Sequence, residues 1–405
     1  MGFLAGMARV APSPAGIAVR AVGLALCALL AGPGCRTIRI TPAPPVTSAD
    51  WVTEGDAPER HGSAAGRLTP PLEEAWVYNA HAGFGTASPL IWQRVVFVAT
   101  RKGEVHAIDR MTGKKRGTKA FGDAIEGSPV LHDHVLYVPS AWGGRAVTAY
   151  DVRTGTTRWR IDGPPVEAGL LVVGGRLIVA DVAGAVRAFD AASGQGLWER
   201  TPGDGRSGIF ATPLAVEDHV LVADDRGHAV LLEAATGAVR WTHRLPAPVY
   251  RTPVTDGRRI FVPTTRGRFV ALDARDGRPL WTHTEPDTTV RFTAPAYRDG
   301  AVFVGTSDGR LLRLAATTGE VRWEAPAGES LVATPLPAED VVYVGGMDRR
   351  LYALDTRTGE RVWTVELEGR VKSPMAARDG FLVVLAEPRF VYAFKTASTY
   401  AVVDP

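Results

Sequence analysis

Apolar residues in this chain come in short runs, not in helical stripes. Segments such as Arg259-Ile-Phe-Val262 and Val341-Val-Tyr-Val344 are rich in β-branched and aromatic residues and are bounded by Gly, Asp and Pro. That pattern predicts short strands joined by tight turns. The segments recur in one order: a small residue and Pro, an apolar run, a turn that often holds Asp-Gly, a β-branched run, a second turn, Ala-Leu-Asp, Thr-Gly, then Trp.

The glycine of the third turn falls at Gly113, Gly155, Gly194, Gly237, Gly277, Gly319 and Gly359, with spacings of 42, 39, 43, 40, 42 and 40 residues. Trp159, Trp198, Trp241, Trp281, Trp323 and Trp363 follow four residues after it, and the first copy has Gly117 in that slot. The small–Pro slot holds Pro89, Pro129, Pro213, Pro253, Pro295, Pro335 and Pro374, with Gly169 in the third copy. The Ala-Leu-Asp slot ends at Asp109, Asp151, Asp190, Glu233, Asp273, Ala315, Asp355 and Lys395, which makes eight copies. A stretch such as Asp273-Ala-Arg-Asp-Gly277 reads as a type I turn closed by a left-handed glycine, a conformation only Gly takes cheaply.

Four strands every ~40 residues is the period of a β-propeller blade. Strand-type alternation excludes helical repeats, and no Trp-Asp pair ends the copies as in WD40 blades. The expected fold is all-β: an eight-bladed propeller over residues 72–396, with a short tail at 397–405. The eighth copy stops at Val391-Tyr-Ala-Phe-Lys395 without a tryptophan strand, while Glu74-Ala-Trp76-Val-Tyr78 stands alone at the front. This N-terminal strand is expected to complete the last blade, removing an open sheet edge. The repeat tryptophans are expected between neighbouring blades as structural residues.

Charge and cysteine usage narrow the function. The net charge of +3 implies no strong attraction to nucleic acid. The two cysteines, Cys27 and Cys35, lie near the N-terminus, so the repeat body holds neither a disulfide nor a thiolate metal site.

Arg9 and Arg20 precede the apolar stretch Ala21–Ala31, the layout of a secretory signal. The uncharged stretch between Arg20 and Arg36 is 15 residues, shorter than the ~20 a spanning helix needs. Gly32-Pro33-Gly34-Cys35 is similar to a bacterial lipoprotein cleavage site, although Gly32 and Pro33 depart from the usual residues there. Residues 1–35 are therefore read as a lipoprotein-like signal peptide with Cys35 lipidated; an ordinary cleaved signal is the alternative. Residues 36–71, rich in Pro, Thr, Ala and Gly, read as a tether and lead-in with some local structure.

The pattern Ala271-Leu-Asp-Ala-Arg-Asp-Gly277-Arg-Pro-Leu-Trp281 resembles the PQQ-like repeat, and the resemblance covers about residues 72–395. The stretch from Asp50-Trp51 to Arg60-His61-Gly62 resembles the lead-in of many such propellers. That family includes quinoprotein dehydrogenases and the noncatalytic BamB, a lipoprotein of the bacterial β-barrel assembly machinery. For the dehydrogenases, the resemblance implies adjacent cysteines against the quinone and Ca²⁺ held by Glu, Asn and Asp. This body has no cysteine, and Asn79 is its one asparagine. No catalytic, cofactor-binding or metal-binding residue is expected.

The BamB-like layout implies a scaffold on the periplasmic face of the outer membrane, held by a lipid anchor. Its partners would be proteins, among them a subunit of the β-barrel assembly machinery, and not nucleic acid. Arg36 after Cys35, in place of an aspartate, favours the outer membrane. The connections Gly163–Glu167 and Pro202–Gly208 are shorter than the loops BamB uses for contact, so no contact residue is carried over. An envelope ligand-binding or sensory propeller is the alternative, followed by a PQQ-dependent dehydrogenase.

The residues expected to bind a partner precede the small–Pro slot. Arg206, Arg251, Arg291 and Lys372 are expected to ring the channel mouth, with Glu126, Glu167 and Glu329 in similar places. Solvated loop charges paired with one another are the alternative. His134 and His219 share one repeat slot, and His243 and His283 another, so they are expected to be held apart in different blades.

Overall fold

The computed structural model describes residues 37–48, 50–57, 59–64 and 68–397. The apolar leader and Cys35 lie outside the described residues, as does most of the C-terminal tail. Among the described residues no helix is long and apolar enough to cross a membrane.

Eight antiparallel sheets of short strands follow one another around an axis. In each blade, strands a to d run from the axis outward; blade 7 has Leu336–Ala338, Val341–Gly345, Arg350–Asp355 and Arg361–Glu366. Strands b and c are buried almost throughout, whereas strand d alternates between exposed and half-buried positions. This is why the apolar runs in the sequence mark strands b and c most sharply.

The hairpins are built by turn chemistry. Strands a and b join through two residues with positive φ, such as Asp299-Gly300 (48° and 76°) and Asp379-Gly380 (47° and 73°). Two such residues match the right-handed twist of the flanking strands. Strands c and d join through the Asp–Gly turn. The Asp355 carboxylate accepts from the backbone N–H of Arg357 at 2.8 Å and of Thr358 at 2.9 Å. The Gly359 N–H returns to the Asp355 carbonyl at 2.9 Å. The Asp in Ala-Leu-Asp is thus a turn cap, and the register shifts by one residue just before it, between Ala353 and Leu354.

The repeat tryptophans lock neighbouring blades. Trp159, Trp198, Trp241, Trp281 and Trp323 each lie over the turn glycine of the next blade, so close that a Cβ on that glycine would meet the indole at 2.4–2.9 Å. Each indole N–H donates to a carbonyl of the same turn at 3.0–3.1 Å.

The N-terminal strand Leu72–Asn79 pairs antiparallel with Phe390–Thr396 and becomes the outer strand of blade 8. From there Trp76 reaches Gly113 of blade 1 and donates to the Arg110 carbonyl at 2.7 Å. The ring is therefore closed as the sequence predicts.

The segment read as a tether is packed against the ring instead. Ile38 and Ile40 are buried, and Thr37 and Ile38 cover Gly155, the glycine left bare because blade 1 has Gly117 in place of tryptophan. Further on, residues 50–64 run along the innermost strands. Trp51 and Val52 accept from the N–H groups of Ile91 and Leu131 at 2.7 and 2.9 Å. His61 accepts from Tyr297 at 2.8 Å, and Ala64 donates to Pro337 at 2.9 Å. The lead-in lies against the ring because strand a of each blade leaves unpaired backbone groups facing the axis, and an extended chain satisfies them.

Candidate functional site

Lead-in residues fill the centre of the ring and line two cavities there: Trp51, Glu54, Gly55, Arg60 and Gly62 line one, and Glu54 lines a second, funnel-like one. Gly55 and Arg60 approach closely: a Cβ on Gly55 would lie 2.9 Å from the Arg60 Cα, so only glycine permits the approach. Arg60 is buried. Its Nη2 donates to the Leu170 carbonyl and its Nε to the Pro213 carbonyl, both at 3.2 Å, which ties the loop to blades 3 and 4. Its Nη1 donates to the Glu54 carbonyl at 3.0 Å and lies 3.4 Å from the Glu54 carboxylate. Burial lowers the Arg60 pKa, and Glu54 opposes that.

The Glu54 carboxylate is the centre of a belt of hydrogen bonds. Its Oε2 accepts from Ser128 Oγ at 3.1 Å and Thr212 Oγ1 at 3.0 Å. Ser128 Oγ accepts in turn from the Ser88 N–H at 3.0 Å, and Thr212 Oγ1 from the Gly169 N–H at 3.0 Å. The belt joins the lead-in to blades 1 to 4. It also explains Gly169 in the small–Pro slot: a Cβ there would come within 2.7 Å of Thr212 and 3.1 Å of Glu54.

Glu167, Arg251 and Lys372 line the funnel together with Glu54. Glu167, Arg251 and Lys372 each stand two residues before the small–Pro slot. That position turns the side chain toward the axis. Burial raises the Glu167 pKa, and Glu126 adds to it. Burial lowers the Arg251 pKa, as does neighbouring Arg291, with Glu54 opposing.

The four basic residues predicted at the mouth do not form one ring. Arg251 and Lys372 line the funnel. Arg291, four residues before its proline, lies with Arg251 in a notch between blades 5 and 6. Arg206, seven residues before its proline, is exposed and lines neither cavity. Its connection is folded around Asp204, which accepts from the Arg206 N–H at 3.0 Å and pairs with Arg226 at 3.2 Å. Glu54, Arg60 and Arg266 complete the site and were missed as site residues. Only Arg60 carried a signal, inside the lead-in resemblance.

The histidines stay apart. His134 bonds the Pro44 carbonyl at 2.8 Å, His219 pairs with Asp218 at 2.5 Å, and His283 with Glu285 at 2.9 Å. Among the described residues no group of His, Cys, Asp and Glu could hold a metal ion. In blade 4, Ser207, Asp224 and His228 meet, but the Ser207 hydroxyl donates to Asp224 at 2.5 Å. His228 contacts the same oxygen at 2.7 Å. Serine and histidine thus share the carboxylate, and the serine–imidazole bond of a nucleophilic triad is not made.

A family model described as "Outer membrane protein assembly factor BamB" matches residues 63–185, 182–334 and 326–399. The chain belongs to this family. It is 29% identical over 187 residues to a quinohemoprotein alcohol dehydrogenase of Comamonas testosteroni, covering 38% of this chain and 26% of that protein. It is 26% identical over 166 residues to the BamB of Francisella salina, covering 38% of this chain and 30% of that protein. The chain thus spans less than a third of the length of these curated relatives. The crystal structure of BamB from Moraxella catarrhalis superposes with a TM-score of 0.68 at 20% identity, covering 80% of this chain and 99% of that one.

The quinone cofactor of the dehydrogenase relatives does not fit this funnel. The space left above Glu54 measures about 50 Å³, room for a few waters and not for an organic cofactor. Its lining has neither Asn nor Cys. Asn79 lies in the outermost strand of blade 8, paired with Phe390, far from the axis.

Proposed function

We propose that this chain is a noncatalytic scaffold of the cell envelope that binds protein partners, with a BamB-like role in assembling outer-membrane β-barrel proteins. The family match over residues 63–399 carries this reading. The plugged channel, closed to a quinone, supports it against a dehydrogenase. In this reading the chain is exported, Cys35 is cleaved at and lipidated, and the propeller faces the periplasm from the outer membrane. Arg251, Arg291 and Lys372 belong to the partner-binding mouth; Arg206 lies outside the cavities there.

The test is affinity capture of the full chain from its native envelope, with mass spectrometry of its partners and of its own N-terminus. The expected result is co-capture of a barrel-assembly subunit and a lipidated Cys35 at the mature N-terminus. A chain that brings down no envelope protein, and is instead stabilised against heat by a small molecule, would replace the scaffold with the ligand-binding alternative.

A further inference from the structure

The notch between blades 5 and 6 opens from the funnel to the outside. Its walls carry Tyr250, Arg251, Arg266 and Arg291, together with threonines from the turn 264–267 and the connection 285–293. Three arginines line a cavity of about 590 Å³ whose lining contains no carboxylate. Among the described residues none of the three makes a side-chain hydrogen bond or ion pair. Nearby arginines are paired: Arg259, Arg278, Arg298 and Arg310 each hold an acidic partner within 3.2 Å. Arg251 is also largely removed from water, and its neighbour Arg291 repels it. The opposing charge, Glu54, is already paired with Arg60; a desolvated guanidinium so weakly balanced is unfavourable, and an anion bound beside it relieves the cost.

The form of the cavity indicates the kind of anion. Tyr250 and Arg251 line both notch and funnel, so the two are continuous. A groove leading outward from the axis suits an extended chain better than a compact ion. Thr265 and Thr288 have side-chain hydroxyls with no partner among the described residues, leaving them free for a peptide backbone. Tyr250 is 47% exposed at the junction and packs against Phe210, with centroids 5.7 Å apart, as an aromatic platform.

We infer that the notch is a binding site for an acidic segment of a partner protein, whose carboxylates pair with Arg251, Arg266 and Arg291. Arginine suits this role because its planar fork grips carboxylates through two donors. The inference rests on the scaffold reading above and names the chemistry of its partner.

The experiment measures binding of a short fluorescein-labelled poly-glutamate peptide to the full chain by fluorescence anisotropy. Arg251→Gln/Arg291→Gln should weaken binding at least about ten-fold, and Arg266→Gln, at an exposed position, should weaken it in the same direction. Arg206→Gln removes the same charge outside the notch and should leave affinity unchanged. Equal losses in Arg206→Gln and in the notch variants would mean unspecific attraction and overturn the site. So would undiminished binding by the double variant. Free citrate should compete only at concentrations well above those of the peptide; tighter binding of citrate would assign the notch to a small polycarboxylate and overturn the segment. Capture of the same envelope partners by wild type and double variant would sink the notch alone. Capture of none by wild type would sink the scaffold reading.

Discussion

The hydroxyl of Tyr150 donates to the carbonyl of Ile38 at 2.7 Å, at the one inter-blade seam where the preceding blade has no tryptophan to offer. The backbone continues the contact, with Ile40 N–H donating to the Val152 carbonyl at 2.8 Å. The lead-in thus does for blade 2 what an indole does elsewhere. Ile38 is fully buried, so Ile38→Ala should cost about 2–5 kcal/mol in chemical unfolding. In a chain beginning at residue 49, Gly117→Trp should recover part of the loss; in the full chain the same change should destabilise, since the space over Gly155 is already filled. No recovery in the shortened chain would mean that Ile38 does not replace the indole.

That substitution shows where the sequence was legible and where it was not. Gly117 in a tryptophan slot is visible as a vacancy, because the six other turn glycines are each followed by Trp at the same spacing. What fills it is not visible: Ile38 and Ile40 are two isolated apolar residues among Thr, Arg and Pro, with no repeat slot to place them. The site divides in the same way. Glu167, Arg251 and Lys372 face the axis because strand geometry is the same two residues before each small–Pro slot, which holds Gly169, Pro253 and Pro374. Arg206 and Arg291 stand in connections of different length, and a spacing rule does not carry across them. Glu54 reaches the channel only through the path of the lead-in, which follows from tertiary packing.

A buried ion pair fastens the lead-in across the closure of the ring. Asp50 pairs with Arg378 at the end of strand a in blade 8, and its carboxylate also accepts the Gln93 N–H of blade 1 at 2.7 Å. Asp50→Ala should cost about 2–4 kcal/mol, because buried Arg378 then keeps only the half-exposed Asp379, at 3.0 Å, as a counter-charge. Asp50→Ala/Arg378→Met should cost less than the two single changes added together. Strict additivity in a double-mutant cycle would show that the pair is not coupled.

Stability should peak at mildly acidic pH. Asp151 and Glu285 are desolvated, but arginines hold their carboxyls below the ordinary range: Arg153 and Arg158 for Asp151, and Arg310, with His283, for Glu285. Stability from groups with depressed pKa is present above the unfolded value of about 4 and is lost as pH falls through the folded value. Asp56 works in the opposite direction. Burial pushes it up to about 7, so the folded chain keeps a proton that the unfolded chain releases near pH 4. Stability therefore declines as pH rises from about 4 to about 7, and the full cost remains above that. Asp56→Asn should raise the melting temperature at about pH 8 and leave it nearly unchanged at about pH 4. An equal effect at both values would place the Asp56 pKa in the ordinary range.

Arg251 should be a residue whose removal stabilises the free protein. Its charge is desolvated and repelled by Arg291, with Glu54 as a partial offset. Structural arginines behave otherwise: losing Arg60 would leave the Leu170 and Pro213 carbonyls without their donor. Arg251→Gln keeps a polar side chain of similar reach but removes the repulsion, and it should add about 0.5–2 kcal/mol at low ionic strength. The gain should shrink as salt rises, because mobile ions screen the pair in wild type. It should also shrink when the acidic peptide saturates wild type, since the bound carboxylates supply the missing counter-charge. A variant that is less stable than wild type at every salt concentration would make Arg251 a structural residue of the mouth and remove the reason for an anionic occupant.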